Sequence, residues 1–391
     1  MSDLLQNTAS RESSRPLLQT SDRVWVRRIG LVLIASGLVL HCETAHEVVP
    51  AELEELVPGF PYAFWFAEHT GFEPVPDDFG AYAMLPLSGT LYLGFGAGLP
   101  AAVNGALLGA FDDAGIRAVA PLDEQGMLDM ATGGGMLLIP GVDPCCPDGW
   151  EAGNFYTYAP SAGLTKWRNL PNVFHAWGVW YDAADQVVYV ATSAHSGDSA
   201  SSFGEIWRTG DLGAHWARIA TGVDGVGGYR TYDVLGYRGR LYATSADSRN
   251  SCALVAQPEA GTAWMPVLPD KRVACYHRLV SFGDALIAVD STRRRLHVVT
   301  GQGDAVQREL PFTIGELSLN WATVAGGYLY ALSSDGRILL TRDLVVWETV
   351  AEMGQEFVTI QYWPQRSWLV LASRGMNGAL WKLELCGATP C

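Results

Sequence analysis

Seven short apolar segments recur along the chain, each with Tyr or an aliphatic residue at its centre. They are Leu91-Tyr92-Leu93, Met136-Leu137-Leu138, Val188-Tyr189-Val190, Leu241-Tyr242-Ala243, Leu286-Ile287-Ala288, Leu329-Tyr330-Ala331 and Leu369-Val370-Leu371, with centres 45, 52, 53, 45, 43 and 40 residues apart. A fixed period of this size marks one supersecondary unit used repeatedly. The clearest unit, from His175 to Thr221, reads as four strands: His175–Tyr181, Val187–Thr192, Gly204–Thr209 and His215–Ala220, with turn residues in the gaps. Apolar residues alternate at two rather than 3.6, which argues against a helical solenoid. Four strands per unit at this spacing is the signature of a propeller blade. The expected fold is therefore all-β, a β-propeller of seven four-stranded blades over 82–391; a β-sandwich is the alternative. Residues 61–79 are expected to supply an outer strand that closes the ring beside Ala379–Leu385, removing exposed sheet edges. The 43 Gly and 17% charged residues suit short strands and tight turns.

The first 42 residues read as a separate segment. A polar stretch, 1–26, leads to Arg27 and Arg28 and then to an apolar run from Ile29 to Leu40. Twelve residues fall short of the roughly 20 that a bilayer crossing needs. A basic flank before a short apolar run is the pattern of a secretory signal. Cys42 follows directly and resembles the lipidated Cys of a bacterial lipoprotein. The expected location is extracytoplasmic, in the cell envelope as a lipoprotein or secreted, with residues 43–81 as linker and ring-closing strand. With the five arginines and three acids of residues 1–42 set aside, 21 basic and 38 acidic residues remain. A surface this acidic repels phosphate backbones, so no nucleic-acid partner is expected.

Six further cysteines fit an oxidising location. Separation and position suggest Cys252–Cys275 and Cys386–Cys391, leaving the adjacent Cys145 and Cys146. No Cys-x-x-Cys pair occurs, so no structural zinc is expected.

Thr209-Gly210-Asp211-Leu212-Gly213-Ala214-His215-Trp216 fits the pattern Ser/Thr-x-Asp-x-Gly-x-x-Trp and falls in the gap between third and fourth strands. A degenerate copy runs from Thr341 to Trp347. The pattern resembles the Asp box of sialidase-like, or BNR-repeat, propellers, and the resemblance covers roughly residues 82–385. It implies a scaffold role for Thr209, Asp211, Gly213 and Trp216: the carboxylate accepts turn amides, Gly takes positive φ, and Trp packs between sheets. The Arg-Ile-Pro segment usual near the family's first blade is missing, since Arg117 is followed by Ala-Val. Sialidase activity is therefore not expected.

Propeller topology gathers the connections between blades and the second-to-third-strand loops on one face, which is expected to bind ligand. Catalytic candidates there are His175, Asp233, His277 and Arg278, by residue chemistry. Binding candidates are Asp148, Trp150, His195, Tyr229, Arg230, Tyr276, Asn320 and Trp321. Flat aromatic faces beside Arg, Asn and Asp suit sugars. The expectation is a monomeric binding protein for a glycan, peptide or protein partner, with a membrane lipid anchor as an option and no cofactor or metal. The alternative is a hydrolase or lyase of extracellular polysaccharide.

Overall fold

The computed structural model describes residues 51–74, 77–97, 105–142, 152–195, 202–221, 228–247, 251–257, 263–268, 273–301, 304–375, 378–387 and 389–391. Cys42, Cys145, Cys146, Asp148 and Trp150 lie outside these residues, as does the side chain of His195. Everything below concerns the compact unit Val48–Cys391.

Seven antiparallel sheets follow one another along the chain, which makes the protein a seven-bladed β-propeller. The innermost strands, one per blade, are Phe79–Leu87, Ala131–Gly133, Val173–Asp182, Arg230–Tyr237, Val280–Phe282, Ala322–Ala325 and Phe357–Trp363. Each of blades 1 to 6 adds three more strands in sequence order. Blade 7 adds Trp368–Ser373 and Leu380–Cys386, and its fourth place is taken by Glu54–Glu55 from before blade 1. The chain thus closes its ring with an N-terminal strand that covers an open sheet edge. Lys382 reinforces the seam with an ion pair to Glu54 at 3.0 Å.

The stretch 61–79, read from sequence as strand, instead holds the helix Tyr62–Thr70. Its aromatics favour strand by local preference. Packing overrides that preference: Tyr62, Ala63, Trp65 and Phe66 repeat at helical spacing and are buried. Trp65 meets Phe95 edge-on at 5.5 Å and Phe66 meets Phe79 at 5.1 Å, both on blade 1. Gly71 ends the helix at φ +75°, a left-handed cap that its missing side chain permits. Among the described residues no helix is long and apolar enough to cross a membrane.

The core lies between neighbouring sheets. Leu138, Phe155 and Leu170 of blade 2 pack on Val179, Val190 and Trp207 of blade 3. Ala191 and Ile206 of blade 3 pack on Val234, Ala243 and Val255 of blade 4. Trp321 is fully buried in the layer shared by blades 5 and 6. Both disulfides expected from spacing are present, Cys252–Cys275 and Cys386–Cys391.

The turn Thr209–Trp216 joins the third and fourth strands of blade 3. Asp211 Oδ1 accepts the Thr209 hydroxyl at 2.6 Å and the His215 amide at 2.9 Å, while Gly213 takes φ +113°. The Trp216 indole donates to Asn169 Oδ1 at 3.0 Å on blade 2. Thr341–Trp347 makes a related turn in blade 6, where Asp343 Oδ1 accepts the amides of Val345 and Val346.

Candidate functional site

First and third strands of an antiparallel blade run the same way. The start of each inner strand, the second-to-third-strand loop and the end of the outer strand therefore meet at one face. Residues that begin the inner strands crowd the mouth of the axis on that face.

Four inner strands carry an irregularity at the same depth. The pairing register slips between Ala81 and Ala83, Ala176 and Gly178, Thr231 and Asp233, and Phe357 and Thr359. An extra residue in one strand of a pair redirects its side chain. The residues so released include Tyr82, Trp177 and Tyr232.

Below the mouth, the axis is crossed by a polar network. Arg278, just before the inner strand of blade 5, sets Nη1 3.2 Å from Asp233 Oδ1 of blade 4 and 3.5 Å from Asp129 Oδ2 at the start of blade 2. Its Nη2 donates to the Trp177 carbonyl at 2.7 Å and Nη1 to that of Tyr232 at 3.2 Å. Asp233 also accepts the amides of Val234 and Leu279, at 2.8 and 2.7 Å. Asp129 Oδ2 accepts the Val179 amide at 2.7 Å. Gly178 makes room for this assembly: a Cβ there would lie 2.6 Å from Arg278 Nη1 and 2.8 Å from the Tyr232 carbonyl. Asn320 completes the crossing, its amide donating from blade 6 to the carbonyls of Tyr82 and Leu128 at 2.5 and 3.1 Å. Burial raises both carboxyl pKa values, opposed by the Arg278 charge.

At the mouth, rings stack on this network. Trp177 is buried, with its indole N–H donated to Ser193 Oγ at 2.7 Å. His175, Tyr232 and Tyr276 surround it at centroid distances of 4.6, 5.0 and 6.0 Å. Tyr232 and Tyr276 are 4.6 Å apart. Arg230 lies over Trp177 at 5.6 Å and over Tyr229 at 4.8 Å. Trp177 and Tyr232 form the buried floor, whereas Tyr229, Arg230 and Tyr276 are half-buried and reach solvent.

A cleft of about 350 Å³ adjoins this cluster, lined among others by Cys252, Cys275, Tyr276, His277, Arg293 and Glu316. The disulfide ties the crossover between blades 4 and 5 to the third strand of blade 4, and the Val273 amide donates to the Cys252 carbonyl at 2.9 Å. This clamp presents Tyr276, His277 and Arg278 to the axis. His277 Nε2 donates to the Gly315 carbonyl at 2.8 Å, and burial lowers the imidazole to about 4. The ring is therefore neutral near pH 7, with Nδ1 buried and without a hydrogen-bond partner among the described residues.

The structure brings His175, Tyr229, Arg230, Tyr276, His277, Asp233 and Arg278 into one region. Two sequence candidates have other placements. Trp321 is fully buried and donates its indole N–H to the Arg278 carbonyl at 2.9 Å, so it offers no face to a ligand. Asn320 braces the axis. Asp233 and Arg278, proposed for chemistry, are occupied with each other and with backbone. Asp129, Trp177 and Tyr232 are not among the sequence candidates. The aromatic residue at one depth in blades 1, 3 and 4 was the available signal. Among the described residues, no group of three or more His, Cys, Asp or Glu is placed to hold a metal.

No family model matches the chain, and no curated protein matches it in sequence. Solved structures share its architecture. Virginiamycin B lyase from Staphylococcus aureus superposes with TM-score 0.57 at 14% identity, over 85% of this chain and 99% of that one. BBS1N, solved in complex with ARL6DN, gives 0.53 at 12% identity, over 87% and 98%. The extracellular domain of a B. thetaiotaomicron protein described as a hybrid two-component system gives 0.56 at 11% identity, over 86% of this chain and 43% of that one. At these identities the likeness is one of fold, the β-propeller.

Proposed function

We propose that the protein is an exported binding propeller that takes a glycan, peptide or protein partner at the axial mouth. One observation carries the reading: Tyr229, Arg230 and Tyr276 reach solvent from a rigid floor of Trp177 and Tyr232, beside the 350 Å³ cleft. Aromatic faces held in place lose little conformational freedom on binding, and adjacent polar groups give orientation. The two disulfides support an oxidising compartment. Lipidation of Cys42 belongs to the same proposal, as does kinship of the Thr209–Trp216 turn with sialidase-like repeats, in a scaffold role only.

A polysaccharide hydrolase or lyase is the second reading, favoured by the lyase among the fold neighbours. The engagement of Asp233 and Arg278 with each other and with backbone counts against it, because using either in chemistry would dismantle the axis.

The test is binding of the purified full chain to a panel of immobilised glycans and peptides. Tyr229→Ala and Tyr276→Ala are expected to abolish the hits, while Val345→Ala on the opposite face leaves them intact. Hits indifferent to both tyrosines would remove the mouth as the binding surface.

A further inference from the structure

Among the described residues, Arg230, Arg278 and Arg293 each have an Nε that is buried and without an acceptor. Two of them face a carboxylate with the same guanidinium: Arg278 has Asp129 and Asp233, and Arg293 has Glu316 at 3.1 Å. Arg230 has no carboxylate within ion-pair distance among the described residues. In a chain with 41 acidic residues and 26 basic ones, a half-buried arginine without an acid is the exception.

The described groups that contact the Arg230 guanidinium are aromatic and neutral. The guanidinium lies 4.8 Å over Tyr229 and 5.6 Å over Trp177, and Nη2 donates to the Tyr229 hydroxyl at 3.3 Å. Tyr232, whose hydroxyl burial holds above its usual range, stays un-ionised beneath it. Stacking on rings fixes the guanidinium plane, and the planar fork of N–H donors matches a carboxylate. Arg230 also opens the inner strand of blade 4, where its backbone pairs with Ala246, so the cation stands on a rigid strand.

We propose that Arg230 is the anchor for a carboxylate carried by the ligand. This rests on the mouth being the binding surface, and it names the chemistry that the mouth selects. The carboxylate comes from a uronic acid or from the C-terminus of a peptide. Either one supplies a charge that no described carboxylate supplies to this arginine, and the rings beside it help exclude water from the pair.

Calorimetric titration of the full chain with two matched pairs tests this: D-glucuronate against D-glucuronamide, and N-acetyl-triglycine against its C-terminal amide. At least one acid is expected to bind, and the responding pair identifies the source. The matching amide is expected to bind about tenfold more weakly or worse. Arg230→Gln should lose about tenfold or more on the acid and nothing on the amide, with its melting temperature unchanged. If Arg230→Gln fails to fold, Arg230→Lys decides: it keeps the charge without the stacked fork and should keep a reduced preference for acid over amide. Acids and amides binding alike, no acid binding, a Gln variant like wild type, or a folded Lys variant without preference would each overturn the assignment. If panel hits still depend on Tyr229 and Tyr276 in that event, the binding mouth stands and only the carboxylate anchor falls.

Discussion

Arg278 and Asp233 meet at 3.2 Å across the interface of blades 4 and 5, with side chains only 12% and 7% exposed. Their pairing joins inner strands that neighbour each other in space but have no backbone ladder in common. The Trp177 carbonyl on the same guanidinium extends the tie to blade 3. Removing the cation would leave two buried carboxyls without their counter-charge, with only backbone amides as partners. Arg278→Ala is expected to lower unfolding free energy by about 3–5 kcal/mol, as for one partner of a buried pair. Denaturant unfolding of wild type and variant measures it, and a loss below about 1 kcal/mol would show that the carboxylates take up protons or water at little cost.

The carboxyls of Asp129 and Asp233 are raised by burial, so the folded state holds protons that the unfolded chain releases. Their contribution is complete below the ordinary carboxylate pKa and is lost as pH rises through the raised folded value. His277 acts in the opposite sense. Its folded pKa of about 4, against 6.5 unperturbed, gives a contribution that is complete above pH 6.5 and lost as pH falls toward 4. That shift corresponds to about 3 kcal/mol. Asp129→Asn should therefore flatten the loss of stability as pH rises from about 4 to about 7, and His277→Gln the loss as pH falls from 6.5 toward about 4. Unfolding free energies measured at intervals from pH 4 to pH 8.5 separate the two.

The Cys252–Cys275 bridge closes a loop with a sequence separation of 23 residues. Loop-closure entropy assigns it about 3 kcal/mol. Cys275→Ser should cost about that much and should also speed amide exchange at Tyr276 to Arg278, since the clamp sets their crossover. Hydrogen exchange at those amides checks the second half. An unchanged exchange rate would mean that the Val273 backbone bridge suffices.

Asp211 lies on the face opposite the mouth, in the exposed turn of blade 3. The Thr209 hydroxyl and the His215 amide hold its carboxyl below the usual range. Asp211→Ala is expected to lower the melting temperature by less than Cys275→Ser does and to leave panel binding intact. Lost binding at an unchanged melting temperature would contradict a purely structural turn.

Much of the architecture is local and so readable from the chain. Val188 and Val190 share one strand face, as do Leu241 and Ala243, by the period of two. The residues between them, Tyr189 and Tyr242, are aromatic because a blade packs both its faces against neighbours. The repeat of about 45 residues follows from four strands and their turns. The two disulfides are readable because the separations of Cys252 from Cys275 and of Cys386 from Cys391 suit local closure. The helix Tyr62–Thr70 is not readable in this way. Its aromatics prefer strand until Phe79 and Phe95 provide a surface that only a helix can cover.

The mouth divides in the same manner. The residue types of Tyr229, Arg230 and Tyr276, at the starts of successive inner strands, follow from position within the repeat. The meeting of Asp129, Asp233 and Arg278 comes from ring closure by Glu54–Glu55, which brings three distant segments around one axis. The different placement of two buried Trp residues is likewise a tertiary outcome: the slip between Ala176 and Gly178 turns Trp177 to the axis, while Trp321 fills the gap between two sheets. Periodicity is encoded residue by residue; which side chains share a desolvated space depends on the closure of the whole circle.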